Sequence, residues 1–184
     1  MAKDVVDMIL ADHREVERLF DEMQRDPESR PLVLPTVTAL LMAHSRAEES
    51  EVYPVARDEA GEEEEVAHSQ EEHAEAEELL VKLTSFDQNG SDFEEALQEL
   101  IEAVLHHVEE EEASVLPGMR TALTPERLLE LGAAFAEARA EHLGDDPGEA
   151  TKEELLIAAE NAGVEGASSM SKAQLRRSLK PDDD

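Results

Sequence analysis

Between Lys3 and His142 apolar residues recur at steps of three and four, the spacing that lines one face of an α-helix. Ile9, Val16, Phe20 and Met23 mark a first stripe, over about Lys3–Gln24, which Asp26-Pro27 ends. Val37, Leu41 and Val55 mark a second, from about Leu32 to Ala60, closed by Gly61. A third, about Glu62–Ser85, carries Val66, Leu80 and Leu83 and stops at the turn Gln88-Asn89-Gly90-Ser91. Ser91 or Asp92 can cap a fourth, with Phe93, Leu97, Leu100 and Val104, running down to Pro117. Thr124-Pro125 opens a shorter fifth helix that ends near His142. No run of alternating β-branched residues interrupts this order. Short connections between long amphipathic helices make neighbours antiparallel. The pattern predicts an all-α protein: an up-down-up-down four-helix bundle with a fifth helix (residues 1–143), a linker (144–150) and a small C-terminal helical module (151–184).

Composition agrees. Hydrophobic residues make up 40% of the chain, but with four Phe, one Tyr and no Trp the core must be built of Leu, Val, Ala and Met, which suits helices. The formal net charge is −31, of which residues 151–184 carry only −2 and residues 1–150 the other −29. Such a surface repels nucleic acid and anionic lipid, so the bundle is a poor nucleic-acid binder. Runs such as Glu62–Glu65 and Glu109–Glu112 read first as solvated helix faces. With no cysteine there is no disulfide, thiolate ligand or thiol nucleophile. No stretch is apolar for long enough to span a membrane, and Met1-Ala2-Lys3-Asp4 leads straight into the amphipathic pattern, so a cytoplasmic location is expected.

A repeat changes the picture. His44 and Glu48, four apart, with Pro54 ten after the histidine, recur as His107, Glu111 and Pro117 at an offset of 63. His13, seven before Phe20, matches His73, seven before Leu80, at an offset of 60. Each half is thus a helical hairpin with a histidine on its first helix and His-x3-Glu on its second. These residues fall on the apolar stripes. His13 stands between Ile9 and Val16, and His44 and Glu48 continue Val37 and Leu41. His107 and Glu111 continue Leu100 and Val104, and His73 is seven from both Val66 and Leu80. A single histidine on such a stripe is usually a satisfied core residue. A core glutamate is rarer, because a buried carboxylate costs several kcal/mol unless paired, and no Lys or Arg stands on these stripes near mid-bundle. Four His and two Glu from four helices point to a cation.

Six ligands are too many for one tetrahedral zinc. Two Glu can bridge two ions while four His divide between them, and a mixed imidazole–carboxylate set suits iron that binds or reduces an oxygen species. The ferritin-like pattern needs Glu-x-x-His on two helices. Here Glu65–His68 is one such pair without a second copy, and that reading is set aside.

The segments DHREVERLF, HSRAEESEVYP, EEHAEAEELL and HHVEEEEASVLP resemble the hemerythrin-like His-His-Glu (HHE) cation-binding domains over about residues 4–120. The resemblance implies two iron ions with oxo or hydroxo and carboxylate bridges, held by His13, His44, Glu48, His73, His107 and Glu111. Oxygen-carrying hemerythrins have a further histidine four residues from the third-helix ligand, where Ser69 and Glu77 stand here. That departure speaks against reversible oxygen carriage. Tyr53, next to the kinking Pro54, is a candidate additional ligand, since a phenolate suits ferric iron. His68, five before His73, is rotated off the shared face, and His106 and His142 read as surface residues. The ligands expected are O2, H2O2 or NO, handled in oxidative or nitrosative stress. The protein acts either as a sensor or binder or as an enzyme decomposing hydrogen peroxide in a catalase-like way, with iron storage a weaker third reading.

Residues 151–180 hold five basic and four acidic groups, for a net charge of +1. Thr151-Lys-Glu-Glu-Leu155 and Ser171-Lys-Ala-Gln-Leu175 open two short helices about a Gly163–Gly166 turn. This resembles small modules of the SAP or Rho N-terminal type, which implies weak nucleic-acid contact through Lys172, Arg176, Arg177 and Lys180, or else a docking role.

Overall fold

A computed structural model describes residues 3–180; residues 1–2 and 181–184, the last part of the expected C-terminal module, lie outside the described residues. The chain is helical, with α1 (Val5–Arg25), α2 (Arg30–Ala47), α3 (Glu63–Ser85), α4 (Ser91–Ala113), α5 (Val115–Ala122), α6 (Pro125–Glu141), α7 (Lys152–Asn161) and α8 (Lys172–Ser178). Helix α1 packs on α2 and α3 on α4, while α6 lies against both α1 and α2. Gly132 permits the last contact, because a Cβ there would come within 2.8 Å of the Lys3 carbonyl oxygen.

Several helix starts follow from local chemistry. Asp4 accepts from the Asp7 N–H, and Thr124 from the Arg127 N–H with Pro125 in the first turn. Thr151 with Glu154 and Ser171 with Gln174 each form a reciprocal capping box. The expected cap at Ser91 or Asp92 is not formed: the chain is extended at Gly90, and Ser91 is already helical.

Two other differences arise at the repeated prolines. Helix α2 does not continue regularly to Ala60. It widens into a π-helical turn at Glu48–Val52, regains one α-turn at Tyr53–Val55, and widens again at Ala56–Ala60 before Gly61 closes it at φ 78°. The fourth helix stops at Ala113, breaks at Ser114, and restarts as α5 with Pro117 in its first turn, where a missing N–H costs nothing.

The core is in two parts. One apolar cluster includes Val16, Phe20, Leu41, Leu80, Phe93 and Leu100; the other includes Val5, Ile9, Tyr53, Val66, Met119 and Phe135. On α1 the changeover falls between Ile9 and Val16, on α3 between Val66 and Leu80, and on α2 and α4 near His44 and Glu111. A polar layer therefore crosses the bundle between two apolar ones. The C-terminal helices have a third small core around Leu155, Ala159, Leu175 and Leu179. They dock on the bundle: the buried Asn161 side chain donates to the Glu49 carbonyl (2.9 Å) and to Gln70 Oε1 (3.2 Å). The connecting segment is tied down as well, with the Gly148 N–H donating to Glu77 and Arg176 to the Gly148 carbonyl.

Candidate metal centre

The polar layer contains His13, His44, Glu48, His73, His107 and Glu111, all buried, and both glutamates fully so. The four-residue step on α2 brings Glu48 Oε2 to 3.1 Å from His44 Nε2. From α3, His73 Nε2 lies 3.4 Å from the same oxygen and 3.1 Å from His107 Nε2 of α4. From α1, His13 Nε2 is 3.3 Å from Glu111 Oε2. Ligand-capable atoms of His13, His44 and Glu48 lie within 4.8 Å of one another, and so do those of Glu48, His73 and His107. Glu48 is common to both groups.

The outer ring nitrogens of these histidines all face carboxylates. Carboxylates only accept, so each Nδ1 carries a proton, and each Nε2 faces inward, where it offers a lone pair when the ring is neutral. His44 Nδ1 donates to Asp12 of α1 (3.3 Å) and His107 Nδ1 to Glu72 of α3 (2.9 Å). His13 Nδ1 donates to Glu112 of α4 (2.9 Å), and His73 Nδ1 points at Glu49 beside α2 at 3.4 Å. The ring closes: α1 supports α2, α2 supports α3, α3 supports α4, and α4 supports α1. Such partners fix tautomer and orientation and raise the basicity of the inner nitrogen. They are themselves held. Arg139 of α6 pairs with Asp12 at 2.7 Å, and the buried Arg46 pairs with Glu49 and Glu77. Asp12, Glu49, Glu72 and Glu112 were not singled out in the sequence, although each directly adjoins an inward residue, in Asp12-His13, Glu48-Glu49, Glu72-His73 and Glu111-Glu112.

The charge balance inside is unusual. Both oxygens of Glu48 and of Glu111, together with Nε2 of His13 and of His44, are buried without a hydrogen-bond partner. Burial raises the Glu48 pKa, but the imidazoles of His44 and His73, 3.1 and 3.4 Å away, outweigh it and hold the carboxyl well below its usual range. Burial likewise lowers the His44 pKa, and Glu48 with Asp12 reverses this, raising it to about 10. His73 is raised to about 9, where burial is outweighed by Glu48 and Glu49. The layer demands positive charge, which either protons on histidine or cations supply. Orphaned carboxylate oxygens and inward imidazole lone pairs from four helices fit a cation.

Tyr53 is fully buried, and its hydroxyl lies 3.0 Å from His73 Nε2, on the His73–His107 side. Burial first, then the charges of Glu48, Glu111 and Glu49, push its pKa well above the usual value. The π-turn aims it inward, since the Tyr53 N–H bonds to the Glu48 carbonyl five residues back. The structure does not bring His68 into the layer: its side chain is 53% exposed and lies 2.8 Å from Glu110. His106 is exposed, and His142 is half-buried against Asp145. Glu77, one of the two positions without the extra histidine, is bound by Arg46, and Ser69, the other, is buried against Tyr53. Among the described residues no helix is long and apolar enough to cross a membrane.

Comparison with known proteins agrees with this geometry. The chain is 30% identical over 139 residues to an uncharacterized hemerythrin-like protein of Schizosaccharomyces pombe, covering 73% of this chain and 68% of that one. It is 28% identical over 137 residues to a DNA nickase of Nostoc sp., covering 73% of this chain and 39% of the nickase, so it spans about two fifths of that relative. No solved structure matches. The family model of the hemerythrin HHE cation-binding domain matches residues 4–118. With that model covering every helix that lines the polar layer, the chain belongs to the hemerythrin HHE cation-binding domain family, whose members bind metal.

Proposed function

We propose that the chain is a non-haem di-iron protein that binds or reacts with dioxygen, hydrogen peroxide or nitric oxide. The observation that carries this reading is the pair of three-residue groups, His13–His44–Glu48 and Glu48–His73–His107, which share one carboxylate. In this reading His13 and His44 would hold one ion and His73 and His107 the other, with Glu48 common to both groups. Glu111 would complete the set beside His13, and Tyr53 would be a further ligand on the His73 side. Iron, when bound, supplies the electrons and the open coordination positions for a small oxygen or nitrogen species. The chain's own residues do the rest. The four outer carboxylates hold the imidazoles in one tautomer, and the apolar clusters on either side exclude bulk water.

Size supports the ligand class. A cavity of about 20 Å³ adjoins the histidines, walled by apolar residues such as Val16, Leu41 and Val104. That is room for about one water-sized molecule. Dioxygen, nitric oxide and hydrogen peroxide, each with two heavy atoms, suit such a space better than larger organic substrates do. Peroxide decomposition is the enzymatic form of the same reading. Ser69 and Glu77 favour it over reversible carriage, because neither offers the additional imidazole. The net charge of −31 opposes approach to a phosphate backbone and speaks against a nickase-like activity.

The test is metal analysis and optical spectroscopy on protein expressed with ample iron. About two irons per chain are expected, with a visible spectrum that changes on adding peroxide. A firm content of one zinc with no iron uptake would overturn the reading.

A further inference from the structure

The seven histidines are not all absorbed by the buried centre or by single surface contacts. His68 and Glu72, four apart on α3, face His106 and Glu110, four apart on α4. One ligand-capable atom from each of the four lies within 4.8 Å of the other three. Glu110 Oε1 is 3.4 Å from His106 Nε2, and Glu72 Oε1 is 3.6 Å from His68 Nε2 and 3.9 Å from His106 Nε2. Four N and O ligands at about 2.0–2.1 Å from a tetrahedral ion stand roughly 3.4 Å apart, so three of these separations are close to that edge. Glu110 Oε2 lies nearer, at 2.8 Å from His68 Nε2.

Exposed histidines beside glutamates on neighbouring helices are common without a metal. Glu72 is what separates this cluster from them. Its side chain is 9% exposed, less than the 42–62% of the other three. Its Oε2 accepts from His107 Nδ1, which fixes the carboxylate plane and turns Oε1 outward into the cluster. There Oε1 is buried with no hydrogen-bond partner. A buried carboxylate oxygen without a donor is costly, and here it is aimed at two imidazoles and a second carboxylate. A cation bound by all four satisfies it.

We propose that His68, Glu72, His106 and Glu110 form a second metal site, at the α3–α4 surface, for a divalent zinc-type ion. Two imidazoles and two carboxylates in tetrahedral reach suit borderline first-row ions, and zinc accepts this geometry without strain. The site shares Glu72 with the buried centre through its other oxygen, and it stands whatever ion the buried centre holds.

The test takes the full chain as purified, with its buried metal in place, and titrates Zn²⁺ by calorimetry while metal content is measured before and after. About one Zn²⁺ per chain is expected above the starting metal, with no loss of that metal. The double variant His68→Gln, His106→Gln changes only exposed side chains and leaves Glu72 in place. It should keep its original metal and its melting temperature, and weaken the added Zn²⁺ by more than about 100-fold, since even the loss of a supporting residue costs 10–100-fold. Co²⁺ as an optical probe should give the intense visible bands of a tetrahedral ion in the parent and not in the variant. Equal Zn²⁺ affinity in parent and variant would overturn the proposal. So would no added Zn²⁺, or Zn²⁺ uptake matched by release of the original metal.

Discussion

A carboxylate with both oxygens buried and no donor is tolerable only beside positive charge, and Glu48 and Glu111 are both of this kind. In protein stripped of metal that charge must come from protons, which fixes a pH dependence. His44 and His73 are raised from 6.5 to about 10 and about 9. The folded chain then holds protons that the unfolded chain has released. Their stabilisation is complete below about pH 6.5 and is lost as pH rises through about 9–10. Stripped protein should therefore melt at progressively lower temperature between about pH 7 and pH 10. Iron-loaded protein should change less over that range, because bound cations replace these protons and are taken up with proton release. Parallel decline in both forms would mean that the two histidines are not where the cation sits. Tyr53 supplies a second check at this scale. Its phenol is held neutral by burial and by three carboxylates, so only a cation beside it makes the phenolate. Loaded protein should show a phenolate-to-iron band in the visible, and Tyr53→Phe should lose the band while keeping its iron. An unchanged spectrum in the variant would reduce Tyr53 to packing.

At the scale of elements, much of the fold is legible because helix periodicity and caps are local. The stripes around His13, His44, His73 and His107, the stop at Gly61 and the start at Thr124-Pro125 all follow from neighbours within a few residues. The supporting ring does not, because Asp12 serves His44 and Glu112 serves His13 across helices, at separations no local pattern carries. The repeat also misleads at one point. Pro54 and Pro117 hold equivalent places in the sequence, yet Pro54 follows a π-turn inside a continuing helix while Pro117 sits in the first turn of a new one. Either arrangement absorbs a missing N–H, and the sequence offers no sign of which is chosen. In α2 the choice matters. The bond from Tyr53 N–H to the Glu48 carbonyl spans five residues, and regular winding would turn Tyr53 by about one residue, roughly 100°, relative to Glu48. Pro54→Ala restores a donor that regular winding can use. The variant is expected to keep its total helix signal and lose part of the Tyr53 band. If band and iron content are both unchanged, packing rather than the missing N–H holds the wide turn.

For the whole molecule, the polar layer is braced from two sides, by α6 through Arg139–Asp12 and by the C-terminal helices through Asn161. The two braces are not equal. Phe135 of α6 stacks edge-on against His44 at 5.9 Å. Asn161 donates to the Glu49 backbone and Gln70 and accepts from Arg57, and Gln70 in turn donates to the Glu49 carboxylate at 2.9 Å. The residues proposed to hold iron all precede residue 112, and the C-terminal helices have an apolar core of their own. Truncation after Gly148 should therefore keep the full iron content, the visible spectrum and any peroxide turnover. The lost Asn161 bonds are each worth about 1 kcal/mol net, and each kcal/mol lowers the melting temperature by about 2–4 °C in a chain of this size. Full loss of iron on truncation would make these helices part of the metal domain. The same pair of proteins tests nucleic-acid contact. Of the four basic residues expected to contact nucleic acid, Lys172, Arg176, Arg177 and Lys180, Arg176 donates to the Gly148 carbonyl and Lys180 pairs with Glu78 at 2.6 Å. With the helices docked, Lys172 and Arg177 remain to meet phosphate, beside a bundle that repels it. Two contacts give a log–log salt slope no steeper than about −2, so binding of full-length protein to DNA or RNA should be weak, with a shallow salt dependence, and should vanish on truncation. A slope near twice that value would mean that all four cations are used and that the helices leave the bundle to bind.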